Sequence, residues 1–383
     1  MSERKKILIL FEGAHIAYSP AISQLHNELI KYLDVTILTS NPLEFSENID
    51  LSYNMQFYKY RSGPVRYFYK IFYHILLLFN KEARLIESMF KNNYQEYFFR
   101  FLKMKKAIYS KEYDFIICVD LKNLFFVNVV LKKRSCFFSL EVCYSEKVLP
   151  FIDTDLIDSV IIQSQIRYEY LFGNIKIITF YIQNAPTFNR HLIKGKRAGL
   201  IYSGTAWKPF GLEFCLNYLA ENSKERLMIA GTIKDDLIEK NAKYRELLIQ
   251  NRLLINKQYI PDAGVVEFIS DFEIGFCFYD FEIEWINNFN YQSAPAGKMF
   301  KYLAAGVPVV CNKIVGFDFV NEFKCGICID TFDPESIKRA IEQIRSDYGS
   351  YVVGAINAAS HFSFDKAIIP FLDHVKNNLK IKD

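Results

Sequence analysis

The chain has no long hydrophobic run. Ile75 to Phe79 is among its longest apolar stretches, far short of the roughly 20 residues that cross a bilayer, so no membrane-spanning helix is expected. Met1 to Lys6 leads straight into Ile7-Leu-Ile-Leu-Phe, too short for a signal core, and no secretory leader is expected. Charge of one sign is also missing: 47 basic residues against 43 acidic leave a net charge of +4, which gives no global reason to expect nucleic acid as a partner. A P-loop, a GxGxxG turn and a Ser-His-Asp pattern are absent. The eight cysteines are scattered, and Cys118, Cys136, Cys277 and Cys311 lie inside apolar runs. That is the pattern of reduced, buried thiols in a cytoplasmic protein. Cys325-Gly-Ile-Cys328 is a lone CxxC without a second pair or nearby histidines, so no metal site is expected.

What remains is a large apolar chain. Of 383 residues, 51% are hydrophobic and 16% aromatic, enough for two domains with sizeable cores. Strand and helix signals alternate. Strand-like runs occupy Lys6 to Phe11, Asp34 to Ser40, Asp114 to Val119, Cys136 to Leu140, Ser159 to Gln163 and Ile175 to Tyr181, with helical spacing over Ala21 to Leu33. Residues 185–198 lack periodicity and read as a linker. A second set follows: strands at Gly199 to Ser203, Arg226 to Ala230, Leu253 to Ile260, Phe272 to Phe278, Val307 to Cys311 and Gly326 to Asp330. The helices between them are carried by Leu212 to Glu221, Leu237 to Gln250, Gly264 to Ser270 and Pro334 to Ile344. Such alternation predicts two α/β domains, each a doubly wound parallel sheet covered by helices. Ligands of such sheets bind beyond the carboxyl ends of the strands. Glu12, Gly13, His15, Asp120 and Glu141 all follow strand ends.

Residues 293–312 are the most informative stretch. Pro295 and Gly297 punctuate a loop, Met299 to Ala305 favour helix, Gly306 suits a left-handed stop, and Pro308 cannot continue the helix. A helix start offers unpaired backbone N–H groups and a positive dipole end. Ala296, Gly297 and Lys298 would supply those donors, and Lys298 a full charge, as a place for a phosphate or diphosphate. An ordinary loop–helix–strand unit with an exposed lysine satisfies the same pattern.

The segment resembles the donor-site motif of glycosyltransferases of the GT-B fold, especially family 4. Lys298, Phe300, Tyr302, Leu303, Ala304, Ala305, Gly306, Pro308, Val309 and Val310 stand in register with it. The resemblance implies two Rossmann-like domains facing a central cleft: an acceptor-binding domain over 1–185, a nucleotide-sugar-binding domain over 199–362, and a last helix within 363–383 that returns to the first domain. It also implies donor contacts at Gly13, Gly204, Thr205, Lys208, Gly231, Tyr259, Ile260, Tyr279, Ser293, Pro295, Ala296, Gly297, Lys298 and Lys301. The chain departs from the family at several of these. Lys301 and Ser293 replace its two carboxylates, and Thr205 and Phe210 replace its Arg and Lys. Lys208, two residues away, could reach the same phosphate, and Glu282 or Glu284 could stand in for the lost ribose ligand. No obligatory metal and no cofactor beyond the nucleotide-sugar substrate are implied.

Asp120, Glu141 and His15 are the candidates for proton transfer at an acceptor hydroxyl. A helix cap or a salt bridge would equally explain the two acids. Residues 57–113 interleave basic and aromatic side chains, as in Lys59, Arg61, Arg66, Lys70 with Tyr67, Phe68 and Tyr69. They suit either peripheral contact with an anionic membrane at its inner face, or a helix pair with a solvated basic side. The reading is a transferase that moves a sugar from a nucleotide-sugar to a glycan or lipid-linked acceptor in surface polysaccharide biosynthesis. A non-catalytic subunit of the same fold, partnering an active transferase or binding a glycan, is the alternative.

Overall fold

A computed structural model describes residues 4–11, 20–40, 55–58, 80–90, 94–192, 197–258, 260 and 262–381. The chain divides into two compact units, Met1–Ile182 with Ile368–Asp383, and Gln183–Ala367.

The first unit is built on a seven-stranded sheet of order β3-β2-β1-β4-β5-β6-β7. Its strands are β1 (Lys6–Phe11), β2 (Asp34–Ser40), β3 (Met55–Tyr58), β4 (Phe115–Val119), β5 (Ser135–Phe138), β6 (Ile157–Ile162) and β7 (Thr179–Tyr181). Every pairing is parallel, for example Ile9 with Ile37 and with Ile117. The central strands read as unbroken apolar runs because helices cover both faces, and Ile7 to Leu10 and Ile117 to Val119 are completely or almost completely buried. β3 is short and sits at the sheet edge, and its four residues carry no strong strand signal. The helices Lys81–Phe90 and Tyr94–Ser110 pack through Ala83, Ile86, Phe90, Phe98, Phe101 and Met104. Lys105 closes on Glu82 at 2.7 Å. The final helix, Ile369–Leu379, joins this unit through Phe371 against Phe180 and through His374 Nε2, 2.8 Å from Asp158 Oδ2.

The second unit repeats the plan with six parallel strands, β10-β9-β8-β11-β12-β13. These are β8 (Leu200–Ser203), β9 (Leu227–Ala230), β10 (Leu253–Asn256), β11 (Ile274–Cys277), β12 (Val309–Asn312) and β13 (Gly326–Ile329). In both sheets the strand order reverses beside the first strand, between β1 and β4 and between β8 and β11. The helix Gly297–Ala304 ends as its residues dictate. Gly306 takes φ +65°, its N–H bonds Leu303 O, and Val307 N bonds Tyr302 O. One helix, Tyr348–His361, is poorly signalled. Its glycines and valines have low helix propensity, but Gly354 lies where an added Cβ would stand 2.2 Å from Lys324 O. Close packing of small residues therefore overrides local preference.

Candidate functional site

In the second unit, the ends of β8, β9 and β11 and the start of the helix Gly297–Ala304 converge. Beyond β8 the chain turns at Gly204, φ +99°, and beyond β9 at Gly231, φ +144°. An added Cβ at Gly231 would stand 2.1 Å from Gly204 O, so the two turns pack backbone on backbone. The Tyr302 hydroxyl accepts the Ser203 N–H at 2.6 Å and donates to Phe276 O at 3.2 Å, tying the helix to both strand ends. The Tyr202 hydroxyl lies 3.0 Å from Thr205 O and 2.8 Å from Phe210 O and so closes the loop after β8.

The helix start has no capping side chain: Ala296 is the N-cap. Ser164 and Asp333, by contrast, cap their helices with side-chain oxygens. Met299 N bonds Ala296 O at 2.9 Å, and the first two amides, of Gly297 and Lys298, have no partner within the helix. Lys298 is expected to be exposed, but it is half-buried, its ammonium 4.1 Å from the centre of the Tyr202 ring. Among the described residues no carboxylate pairs with it. Burial lowers its pKa, with the Cys277 and Cys215 thiols pulling the other way. The difference has a simple cause: the ammonium lies over the ring of Tyr202, a residue of β8, instead of in solvent. Lys208 is differently placed. Its ammonium lies 3.0 Å from Glu213 and is half exposed, and that carboxylate raises its pKa.

In the first unit, Asp120 follows β4, where the strand order reverses, in a left-handed conformation with φ +61°. It is not a helix cap. Its Oδ1 accepts the N–H groups of both Leu140 and Glu141 at 2.8 Å. Burial pushes its carboxyl up to about 7, against the two backbone donors and the charge of Arg167, and with the help of Glu141. Glu141 is exposed. Arg167 is fully buried and donates to Leu140 O at 3.3 Å. Left-handed backbone is uncommon in a non-glycine residue, and the two N–H groups on Oδ1 hold Asp120 in it.

No protein-family model matches the chain, and no curated protein matches its sequence. Among solved structures it is similar to Anabaena Alr3699/HepE in complex with UDP, with TM-score 0.66 and 11% identity over 97% of this chain and 100% of that one. It is similar to the sucrose-phosphate synthase of Thermosynechococcus elongatus, with TM-score 0.62 and 15% identity over 99% and 100%. WaaG, a glycosyltransferase involved in lipopolysaccharide biosynthesis, aligns with TM-score 0.59 and 11% identity over 96% and 98%. The chain has the GT-B fold.

Within this GT-B frame the remaining candidates fall in four groups. Gly13, His15 and Tyr259 lie outside the described residues. Gly204, Thr205, Gly231, Pro295, Ala296, Gly297 and Lys298 belong to the turns and the helix start just described, and half-buried Lys301 is one turn further along that helix. Ile260 follows β10 and is half-buried. Ser293 and Tyr279 are turned to structural contacts. The buried Ser293 hydroxyl donates to Phe289 O at 2.6 Å, and both backbone groups of Tyr279 are clamped by the Asn312 amide at 2.7 and 3.0 Å. Sequence reasoning missed Arg167 and Asn312; Asn184 lies close to the helix start, its Nδ2 3.2 Å from where a Cβ at Gly297 would stand. Arg167 carried one available signal, its place three residues after the cap Ser164.

Proposed function

We propose that this chain is a glycosyltransferase that uses a nucleotide-sugar donor. The observation that carries the reading is the uncapped start of the helix Gly297–Ala304, with the half-buried Lys298 ammonium beside it and, among the described residues, no carboxylate to neutralise that charge. The N–H groups of Gly297 and Lys298 and the Lys298 ammonium hold the donor diphosphate. They stabilise the charge that develops on it as the glycosidic bond breaks. These groups supply positive charge without a metal. In the first unit, Asp120 accepts the proton of the attacking hydroxyl if the reaction inverts the anomeric centre, and orients that hydroxyl if it does not. UDP bound to Alr3699/HepE, and glucose with it in a second structure, is in keeping with a nucleotide-sugar donor.

The acceptor side of the reading is a glycan or a lipid-linked glycan of surface polysaccharide synthesis, met at the cytoplasmic membrane face. It is supported by exposed Lys81, Arg84, Lys103 and Lys106 with exposed Leu102 and Tyr109 on one helix pair, and by exposed Lys111 just after it. Among the described residues no helix is long and apolar enough to cross a membrane. Calorimetric titration with UDP, GDP, CDP and CMP, then with their sugars, tests the proposal. Selective binding of one nucleotide supports it and names the donor class. The pairing of Lys208 with Glu213 favours a second reading, a non-catalytic partner subunit, which absence of binding to every nucleotide would support.

A further inference from the structure

We infer that Trp207 and Trp285 form a stacking platform for a sugar ring, separate from the phosphate-holding helix start. They are the only tryptophans of the chain. Their ring centroids lie 5.3 Å apart at 39°. Trp207 is on the loop after β8 and Trp285 on the loop after β11. Those strands are neighbours at the point where the sheet order reverses, where doubly wound sheets take their ligands.

Packing does not explain the exposure of Trp285. Its loop is anchored by Ile286, fully buried, and by Phe281 and Ile283, packed on the core. Trp285 points the other way and is 45% exposed. Its position is nonetheless fixed, because Phe210 and Tyr291 brace it edge-on at 6.3 and 5.9 Å. The Lys234 ammonium lies 5.7 Å from the Trp207 ring, so Trp285 carries the accessible face. Around it Glu282, Glu284, Asn287 and Asn288 are exposed. Asn288 Nδ2 donates to Trp285 O at 2.7 Å, which holds the rim and the ring together. An aromatic face bordered by carboxylates and amides suits a pyranose, which offers C–H groups to the ring and hydroxyls to the rim. The two carboxylates repel a diphosphate. The sugar comes either from the donor or from the acceptor, and in naming those two sources the inference rests on the glycosyl-transfer reading.

Tryptophan fluorescence, excited beyond the tyrosine band, reports on this platform alone, because no other tryptophan exists. The test compares wild type, Trp285→Phe and Trp285→Ala by calorimetry with UDP and GDP and with their glucose and mannose conjugates, and on a glycan array, with wild-type fluorescence followed in parallel. Stacking is worth about tenfold in affinity. The expected result is that Trp285→Ala leaves the bare nucleotide within about twofold. It weakens either the nucleotide-sugar or an array glycan about tenfold, Trp285→Phe retains most of that affinity, and the wild-type fluorescence changes on binding. Loss on the nucleotide-sugar assigns the donor's sugar, and loss on the array assigns the acceptor's. If wild type binds no nucleotide, the donor proposal fails while the array still judges the platform. Equal sugar binding by wild type and Trp285→Ala, or no sugar binding by wild type in either format, overturns the inference.

Discussion

Replacing Asp120 with Asn removes one charge and little else. Asn tolerates the left-handed backbone at φ +61° as well as Asp does, and its Oδ1 can accept the same two N–H groups from Leu140 and Glu141. The carboxyl stands near 3.8 in an unfolded chain and near 7 here, chiefly because burial disfavours its charged form. The folded state therefore holds a proton that the unfolded state has lost. The stability linked to this group is fully present below about pH 4 and is lost as pH rises through 7. Integrating between pH 5 and pH 8 gives a loss of up to about 3 kcal/mol, reduced by the solvent that reaches the half-buried group. Asp120→Asn cannot lose it. Urea unfolding followed by circular dichroism, run on both proteins at pH 5 and pH 8, should show the variant gaining on wild type by up to that amount at the higher pH. Parallel pH dependence in the two proteins would refute the burial of this carboxyl. In activity, an ionised Asp120 acting as base makes kcat/KM of wild type rise through about pH 7, whereas Asp120→Asn keeps nucleotide affinity and loses turnover.

Lys298→Ala should weaken nucleotide diphosphate binding by about 10- to 100-fold, the worth of a charge-assisted contact, with little change in stability because among the described residues the lysine is in no ion pair; unchanged affinity in calorimetry removes the lysine from the donor site. Gly231→Ala should cost more than about 3 kcal/mol, since it adds a clash with Gly204 O to an unfavourable φ. Gly204→Ala, with nothing within 4 Å of its Cβ, should cost only the strain of φ +99°, about 1–3 kcal/mol. Denaturation curves that rank the two the other way would contradict the packing of the two turns. Glu141→Gln, at an exposed position, should leave stability within about 0.5 kcal/mol; a large loss in the same curves would show that the carboxylate carries a structural contact. Nucleotide affinity measured with and without EDTA should agree within error, and a loss on chelation would show that a metal completes the donor site.

Much of the fold is written in local patterns. Apolar runs of four to six residues separated by helical spacing specify parallel strands buried on both faces, and Gly306 with Pro308 marks a helix stop that the hydrogen bonds to Leu303 O and Tyr302 O complete. Signals weaken where tertiary contacts replace local preference. Tyr348–His361 is helical because its small residues approach Lys324 and Phe323 closely, and the run after Leu253 stops being strand at Asn256, where β9 ends and pairing partners run out. The candidate site divides in the same way. Gly204, Gly231 and the Gly297–Lys298 helix start were legible because turn and helix-start chemistry is local.

The sequence by itself determined the alternation of strands and helices, the places where loops leave the carboxyl ends of strands, and the residue types that stand there. Tertiary structure alone decided what those residues experience. Lys298 became a half-buried cation over Tyr202, Lys208 was tied to Glu213, Asp120 was drawn onto the amides of Leu140 and Glu141, and Trp207 met Trp285. Periodicity is fixed by neighbours a few residues apart, whereas burial, charge and stacking depend on groups that only the assembled sheet brings together.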